Sequence, residues 1–551
     1  MKSGPVSTAA GHSAERRKGR ALTRIWILLG LGLVAALGIA FHTRFGPGAS
    51  GDSTSYLMGA ENLAAGNGYM RYSGGFERKP ITGFPPVYSL ALAAPIALRA
   101  DPYQAARWLN VLLFLANIVL VGLWIRELGH GWGLGIIGAL LVGLYPEQVH
   151  WHSWVMSEPL FTFLSLLSLW FLAKTMRDGP HRWRWLIAAV VLVWLVALTR
   201  LVGLALILSG SIWLLLGNGS ATRRLARSVL FGGLSAIPVF TWMMASGGDG
   251  VGIANRALSF HGVDRELVRL YLAELSSWFV PHELPLPTLV RAGIAVLIAV
   301  GVLVWYTSRT RRHLLTAMPR ASENQPLGHR LLLVYLASYG LVLAVNSVLL
   351  DASTSPTAVP RYLAPAFVVC VIVWVSMAAN LVTSAGGSRW LAPAALAYVA
   401  GLLLAFGAQT ANLVANPLQA IGYVGYRYTW PEVTERLAAI DGDQPIVSNN
   451  PELVYVLAER PAYVRPIRFD HYQQVYREDY QQQLEFASQL MVQGAVLVVF
   501  HPIEPVDQQF IDYAELQLGS ELPQASFYRY PWGNREARSA RIGLRVRYAT
   551  R

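Results

Sequence analysis

A single cysteine, Cys370, stands in a chain of 551 residues, and it falls inside an apolar run. No intrachain disulfide can form, so parts outside a membrane must fold on packing and hydrogen bonds alone. Charge is scarce as well. Asp, Glu, Lys and Arg make up 14% of the chain, against about 25% in soluble globular proteins. With 54% hydrophobic residues and a mean hydropathy of +0.39, that deficit excludes an ordinary soluble domain. Acidic residues are the scarcer sign, 32 against 45 basic ones, for a net charge of +13. Such an excess can mark nucleic-acid binding. Here the cations gather in short loops between apolar runs, as the positive-inside rule requires, so no nucleic-acid partner is read. There is also no internal repeat and no extended low-complexity segment.

What is present is a succession of apolar runs near span length from Ile25 to Val414, the mark of a polytopic membrane protein. Spans are expected at approximately 25–41, 105–125, 132–146, 158–173, 184–198, 201–216, 227–244, 289–307, 330–350, 362–383 and 390–412, about eleven in all. Arg16, Arg17, Lys18, Arg20 and Arg24 precede the first run, and no small-residue cleavage site follows it. It reads as an uncleaved span behind a cytoplasmic basic tail, residues 1–24. The loops Lys174–Arg184, Gly217–Arg227 and Ser308–Arg330 are basic and then all fall inside. Pro86–Leu98 is too short for a span and reads as an interfacial or re-entrant piece. Counting it as a span would place the basic loops outside.

The transmembrane module is thus 25–414, with an external loop at 42–104, followed by a region of different character at 415–551. From Trp430 charges and Gln runs appear. β-rich pieces at Pro445–Val447, Tyr463–Ile467 and Ala495–Phe500 alternate with helical stretches at Pro451–Ala458 and Asp479–Val492. This is expected to be a small extracytoplasmic α/β domain.

The external loops hold the residues with chemistry. Asp52, in G-D-S-T-S-Y, opens a helical stretch ending at Gly66-Asn67-Gly68, with Tyr56 one turn on. Spacing alone makes Asp52 an N-cap as readily as a reactive acid. Arg78 and Lys79 precede Pro80, and Tyr88 follows Pro85-Pro86-Val87. These cations read either as headgroup contacts or as a phosphate site. Glu158, in S-E-P-L, follows the N-cap candidate Ser157, where the helix dipole alone favours a carboxylate. His150 and His152 lie just upstream; H-x-H with carboxylates can hold a metal, which leaves Asp52, Glu158 and His152 as candidate ligands of a divalent ion. Arg200, in L-T-R, and Arg361, in P-R-Y-L beside Tyr362, sit at span ends, where a cation either snorkels or serves function.

Taken in order, these motifs resemble the GT-C glycosyltransferases, closest to the branch of protein O-mannosyltransferases and lipid A aminoarabinose transferases. The resemblance covers most of residues 20–415, and the I-V-S-N-N-P-E-L-V-Y-V-L of 446–457 is similar to the tail of many bacterial members. One departure is that Asp52 is followed by Ser53, where protein mannosyltransferases show an Asp-Glu pair. The resemblance implies transfer of a sugar from a polyprenyl-phosphate carrier to an acceptor hydroxyl of a lipid, glycan or protein at the outer face of the plasma (inner) membrane, with inversion. It implies Asp52 as base and Glu158 orienting the acceptor or holding a metal. Lys79, Arg200 and Arg361, with Arg78 behind them, would meet the donor phosphate. Tyr56, Tyr88 and Tyr362 would line the substrate. No cofactor is certain. The alternative is a transporter or flippase of lipid-linked glycans, which tends to place polar residues mid-membrane on broken helices.

Overall fold

The structure is a computed structural model. It describes residues 7–72, 78–176, 182–245, 260, 262, 264–281, 284, 286–298, 300–301, 328–349, 358–384, 390–470 and 475–531. Arg177, the cations Arg309, Arg311, Arg312 and Arg320, and the end of the expected span 289–307 lie outside the described residues. The chain divides into two compact units. The first comprises residues 1–47 and 82–417, the second 48–81 and 418–551. Residues 48–81, expected within the transmembrane module, therefore group with the C-terminal region.

The first unit is helical. Among the described residues, six helices are long and apolar enough to cross a membrane: Thr23–His42, Pro102–Glu127, Ala221–Ala245, Gly328–Leu349, Ala358–Thr383 and Leu391–Ala415. Trp132–Leu144 and Pro146–His152 form a further pair, bent by 64°. The break falls at Pro146, whose ring has no amide to continue the ladder. Two more expected spans, Glu158–Lys174 and Arg182–Ala197, are helices of 17 and 16 residues. At 1.5 Å per residue these reach about 25 Å, short of a hydrocarbon core of about 30 Å. Val87–Ala97, Leu201–Leu215 and Thr288–Ile298 are shorter apolar helices.

Two devices pack these helices. The first is absence of side chain. A Cβ on Gly135 would lie 2.9 Å from the Gly122 carbonyl oxygen, and one on Gly138 would lie 2.2 Å from Ile125 Cδ1. The helices Trp132–Leu144 and Pro102–Glu127 approach this closely because glycines line the seam. The second is a row of polar side chains. Asn110, Asn117 and Trp124 recur every seven residues, so they share one face of their helix. All three are fully buried. Asn110 Nδ2 donates to the Trp154 carbonyl. Asn117 Nδ2 donates to the Pro159 carbonyl at 3.2 Å, and Trp124 Nε1 to that of Leu166 at 3.1 Å. Where apolar contact cannot distinguish lipid from protein, such bonds fix one helix against the next, at about 0.6–1.7 kcal/mol each.

The second unit is α/β. The helix Gly51–Ala64 leads to the strands β1 (Met70–Tyr72) and β2 (Arg78–Pro80), paired antiparallel with Arg71 opposite Lys79. Asn62 Nδ2 holds this hairpin to the helix through the Met58 and Met70 carbonyls, both at 3.0 Å. Further strands are β3 (Ile446–Ser448), β4 (Tyr463–Val464), β5 (Phe469–Asp470), β6 (Val475–Tyr476), β7 (Val496–Phe500), β8 (Gln517–Leu522) and β9 (Ala525–Arg529). Five of them form one sheet in the order β4-β3-β7-β9-β8. β3 is parallel to both β4 and β7; β9 is antiparallel to β7 and β8. Central β7 is buried throughout. Val496, Val498 and Phe500 pack with Val433, Leu437 and Leu453 on one face, and Leu497 and Val499 with Met491 and Phe510 on the other. An unbroken V-L-V-V-F run is what a strand covered on both faces requires.

The glycine seam makes a test. Gly135→Val should destabilise the detergent-solubilised protein by about 1–3 kcal/mol through overpacking. Gly133→Val, on the same helix with nothing within 4 Å of its Cβ position, should leave the unfolding midpoint nearly in place. Equal shifts for the two variants would refute the seam.

Candidate functional site

Glu158 is the first residue of the helix Glu158–Lys174, with Ser157 as N-cap and Pro159 in the first turn. The Ser157 carbonyl accepts the Phe161 amide at 2.9 Å, and the fresh helix end favours a negative charge there. The side chain is 2% exposed. A carboxylate so buried demands cationic partners. It has two, and both reach one oxygen: Arg200 Nη1 and Arg361 Nε each donate to Glu158 Oε1. Their side chains are 11% and 15% exposed. Arg200 Nη1 also donates to Ser157 Oγ at 3.3 Å, and its guanidinium carbon lies 6.0 Å from the centre of the Tyr362 ring. Glu158 Oε2 is buried and has no hydrogen-bond partner among the described residues. These three ionised groups sum to one positive charge.

Each arginine is placed by backbone chemistry. Arg200 lies in extended conformation between Arg182–Ala197 and the 3₁₀ turn Leu201–Gly203. The turn packs back so tightly that a Cβ on Gly203 would lie 2.8 Å from Ala197 Cα. The Leu198 carbonyl accepts the Val87 amide at 3.0 Å, so the P-P-V-Y motif is tied to the L-T-R motif. Arg361 sits in the first turn of Ala358–Ser384, whose Pro365 breaks the internal ladder. Neighbouring side chains hold this turn. The Tyr339 hydroxyl donates to the Tyr362 carbonyl at 2.7 Å, and Gln148 Nε2 to the Ala364 carbonyl at 2.6 Å.

His152 is buried next to this cluster in sequence, but its ring is fully engaged. Nδ1 lies 2.7 Å from the Gln148 carbonyl, which can only accept, so Nδ1 carries the proton. Nε2 then accepts from Asn117 Nδ2 at 3.1 Å. Neither nitrogen is left for a metal. Glu158 Oε1 is held by two arginines, and no group of three or more His, Cys, Asp or Glu side chains among the described residues is arranged to hold an ion. The donor set at Glu158 and His152 does not fit a divalent metal. Tyr88 is fully buried with its hydroxyl 3.4 Å from Asn110 Oδ1.

The remaining expected residues lie in the second unit. Asp52 is not the N-cap of its helix. That position is Ser50, in a capping box with Ser53, whose Oγ accepts the Ser50 amide at 3.0 Å. Asp52 is the second helical residue and half-buried. Tyr56 is 2% exposed. Arg78 and Lys79 are exposed on β2, with the Arg78 guanidinium 5.8 Å from the Tyr72 ring centre. Thus the structure gathers Glu158, Arg200, Arg361 and Tyr362, and adds Ser157, Asn117, Gln148 and Tyr339. The seven-residue recurrence of Asn110, Asn117 and Trp124 inside an apolar run was the available signal for the supporting row.

No protein-family model matches the chain, and no curated protein sequence matches it. Solved structures do share its fold. ArnT from Cupriavidus metallidurans bound to undecaprenyl phosphate superposes with a TM-score of 0.54 at 13% identity, over 93% of this chain and 98% of that one. Its apo state gives 0.52 at 14%, over 94% and 98%. The archaeal oligosaccharyltransferase AglB from Archaeoglobus fulgidus, in complex with an inhibitory peptide and a dolichol-phosphate, gives 0.51 at 12%, over 92% and 74%. The chain thus shares the fold of these membrane-enzyme structures.

The shared oxygen predicts strong coupling. Glu158→Gln should cost about 3–5 kcal/mol by stranding two poorly solvated guanidiniums. Adding Arg361→Ala should restore part of that loss. Strictly additive losses, measured as denaturant midpoints in detergent, would mean that the three groups do not act as a unit.

Proposed function

We propose that this chain is an integral membrane glycosyltransferase that moves a sugar from a polyprenyl-phosphate carrier to an acceptor hydroxyl at the outer face of the plasma membrane, with inversion. The observation that carries this reading is the pair of arginines on one buried carboxylate oxygen, in a GT-C fold whose ArnT example binds undecaprenyl phosphate.

The chemistry asks for two things. As the bond from the anomeric carbon to the phosphate oxygen breaks, its electron pair goes to the lipid phosphate. Cations placed beforehand lower that barrier most, since they need not reorganise. Arg200 and Arg361 fill this role. Glu158 is their positioning residue: it fixes the two guanidiniums and offsets part of their charge, and Tyr362 lies beside Arg200 as a substrate wall. Lys79, with Arg78, adds exposed positive charge in the second unit. The other need is a base. The acceptor hydroxyl loses its proton to the Asp52 carboxylate as its oxygen bonds to the anomeric carbon on the face opposite the phosphate. One displacement inverts that centre. The products are a glycoside and polyprenyl phosphate. The sugar is a hexose or pentose, and the acceptor a lipid, glycan or protein.

The purified protein in lipid, offered a panel of polyprenyl-phosphate sugars, should release free polyprenyl phosphate with one of them. Asp52→Asn should cut that turnover by roughly 100-fold or more. Its unfolding midpoint should not move, because Ser50 and Ser53 close the helix start. Near-normal turnover removes Asp52 as base. Lipid movement between leaflets without release would replace the enzyme with a flippase.

A further inference from the structure

Within the second unit, three chain segments converge on the start of the Asp52 helix. Ala49 bridges Gly422 in parallel: the Ala49 amide donates to the Ile421 carbonyl at 3.2 Å, and the Tyr423 amide to the Ala49 carbonyl at 2.9 Å. Asn450 Nδ2 donates to the Tyr423 hydroxyl at 3.2 Å, while Asn450 Oδ1 caps the helix Pro451–Ala458 through the Leu453 amide at 3.0 Å. A Cβ on Gly51 would lie 3.7 Å from Glu452 Cγ. Further along the two helices, about one turn after Glu452 but nearly three turns after Gly51, the Tyr455 hydroxyl donates to Glu61 Oε2. Asp52 and Glu452 are each the second residue of their helix, so these ties set two half-buried carboxylates at adjacent helix starts.

A phenol stands with them. Burial pushes the Tyr423 hydroxyl above its ordinary pKa, and the charges of Glu452 and Asp52 push the same way. Tyr423 is therefore a neutral O–H within the field of both acids. It accepts from Asn450, which leaves its own proton to donate.

The sheet topology gives an independent reason to look here. From the end of β3 the chain passes through Pro451–Ala458 to β4 on one side, while β7 lies parallel on the other. That is a switch point, outside whose carboxyl ends open α/β sheets bind ligands. Asn449, Asn450 and Glu452 follow β3 directly. Asn449 braces the point by exchanging two 2.9 Å bonds with the Phe500 backbone at the end of β7.

Resting on the glycosyltransferase reading, we propose that Glu452 and Tyr423 bind the acceptor at the Asp52 site, and that this acceptor is a neutral polyhydroxyl, a glycan. Glu452 accepts a hydrogen bond from a hydroxyl neighbouring the reacting one, and Tyr423 donates to the acceptor's oxygen. Two carboxylates side by side repel an anionic acceptor. A polyol supplies the several donors they need. The second acid lacking after Asp52 in the first loop is thereby provided by the C-terminal region.

The test uses the full chain in lipid nanodiscs, its active polyprenyl-phosphate sugar as donor, and n-octyl β-D-glucoside or a Ser-containing peptide as acceptor probe. The glucoside should be glycosylated. Glu452→Gln should raise its KM about tenfold or more, the scale of a hydrogen bond to a charged group, with a smaller change in kcat and none in the donor KM. Tyr423→Phe, which keeps the ring packing, should act in the same direction, and Glu452→Asp should recover part of the loss. An unchanged glucoside KM in both Glu452→Gln and Tyr423→Phe overturns the assignment, as does transfer to the peptide alone. No release of polyprenyl phosphate by the wild-type chain from any donor instead overturns the enzyme reading beneath it.

Discussion

One carboxylate oxygen shared by two guanidiniums is the constraint around which the first unit is organised. Glu158 Oε1 receives Arg200 from the turn after Arg182–Ala197 and Arg361 from the start of Ala358–Ser384. The acid cannot leave without stranding both cations in a poorly solvated place, whereas loss of either cation leaves the acid paired with the other. Three helices distant in sequence are thereby held at one point. The surrounding backbone serves this arrangement: Gly203 permits the tight turn, Gln148 and Tyr339 hold the turn at Pro365, and Asn117 reaches the carbonyl beside Glu158.

The same cluster accounts for a division of labour among charged residues. Transfer from a lipid phosphate creates negative charge on a leaving group, and preorganised arginines are suited to that because their fork of donors is rigid and always charged. A buried carboxylate used to aim them is not also suited to be a base, since its charge is held by the pair. On the proposed reading the base comes from elsewhere, and the residue proposed for it, Asp52, is half-buried, outside the capping box, and close enough for its charge to act on Tyr423 together with that of Glu452. On the same proposed reading, the grouping of residues 48–81 with the C-terminal region gives that region a chemical role.

Polarity inside the helical unit is spent on position. Asn110, Asn117 and Trp124 donate to backbone carbonyls of the segment carrying Glu158, and Tyr145 donates to Glu274 Oε1 at 2.6 Å. His152, whose spacing from His150 hints at a metal, belongs to this scaffold. Both of its nitrogens are spent on hydrogen bonds, Nδ1 donating to the Gln148 carbonyl and Nε2 accepting from Asn117. A sequence motif records which side chains are near one another along the chain, whereas ligand capacity depends on which atoms remain unspent after folding.

The sequence alone determined the membrane character and the helices. Apolar runs at 105–125, 330–350, 362–383 and 390–412 become Pro102–Glu127, Gly328–Leu349, Ala358–Ser384 and Leu391–Ala415, because in lipid a long apolar stretch must satisfy its own backbone. It likewise marked the strand pieces near 446, 463 and 496, and it singled out Glu158, Arg200 and Arg361 as charges where charge is expensive. Only the tertiary structure decided that these three share a single oxygen, that Ser50 rather than Asp52 caps its helix, that His152 is consumed, and that Glu452 comes to lie beside the Asp52 helix. Periodicity and composition are local and legible along the chain. Partnership between residues some 200 or 400 positions apart is set by packing, which no local pattern encodes.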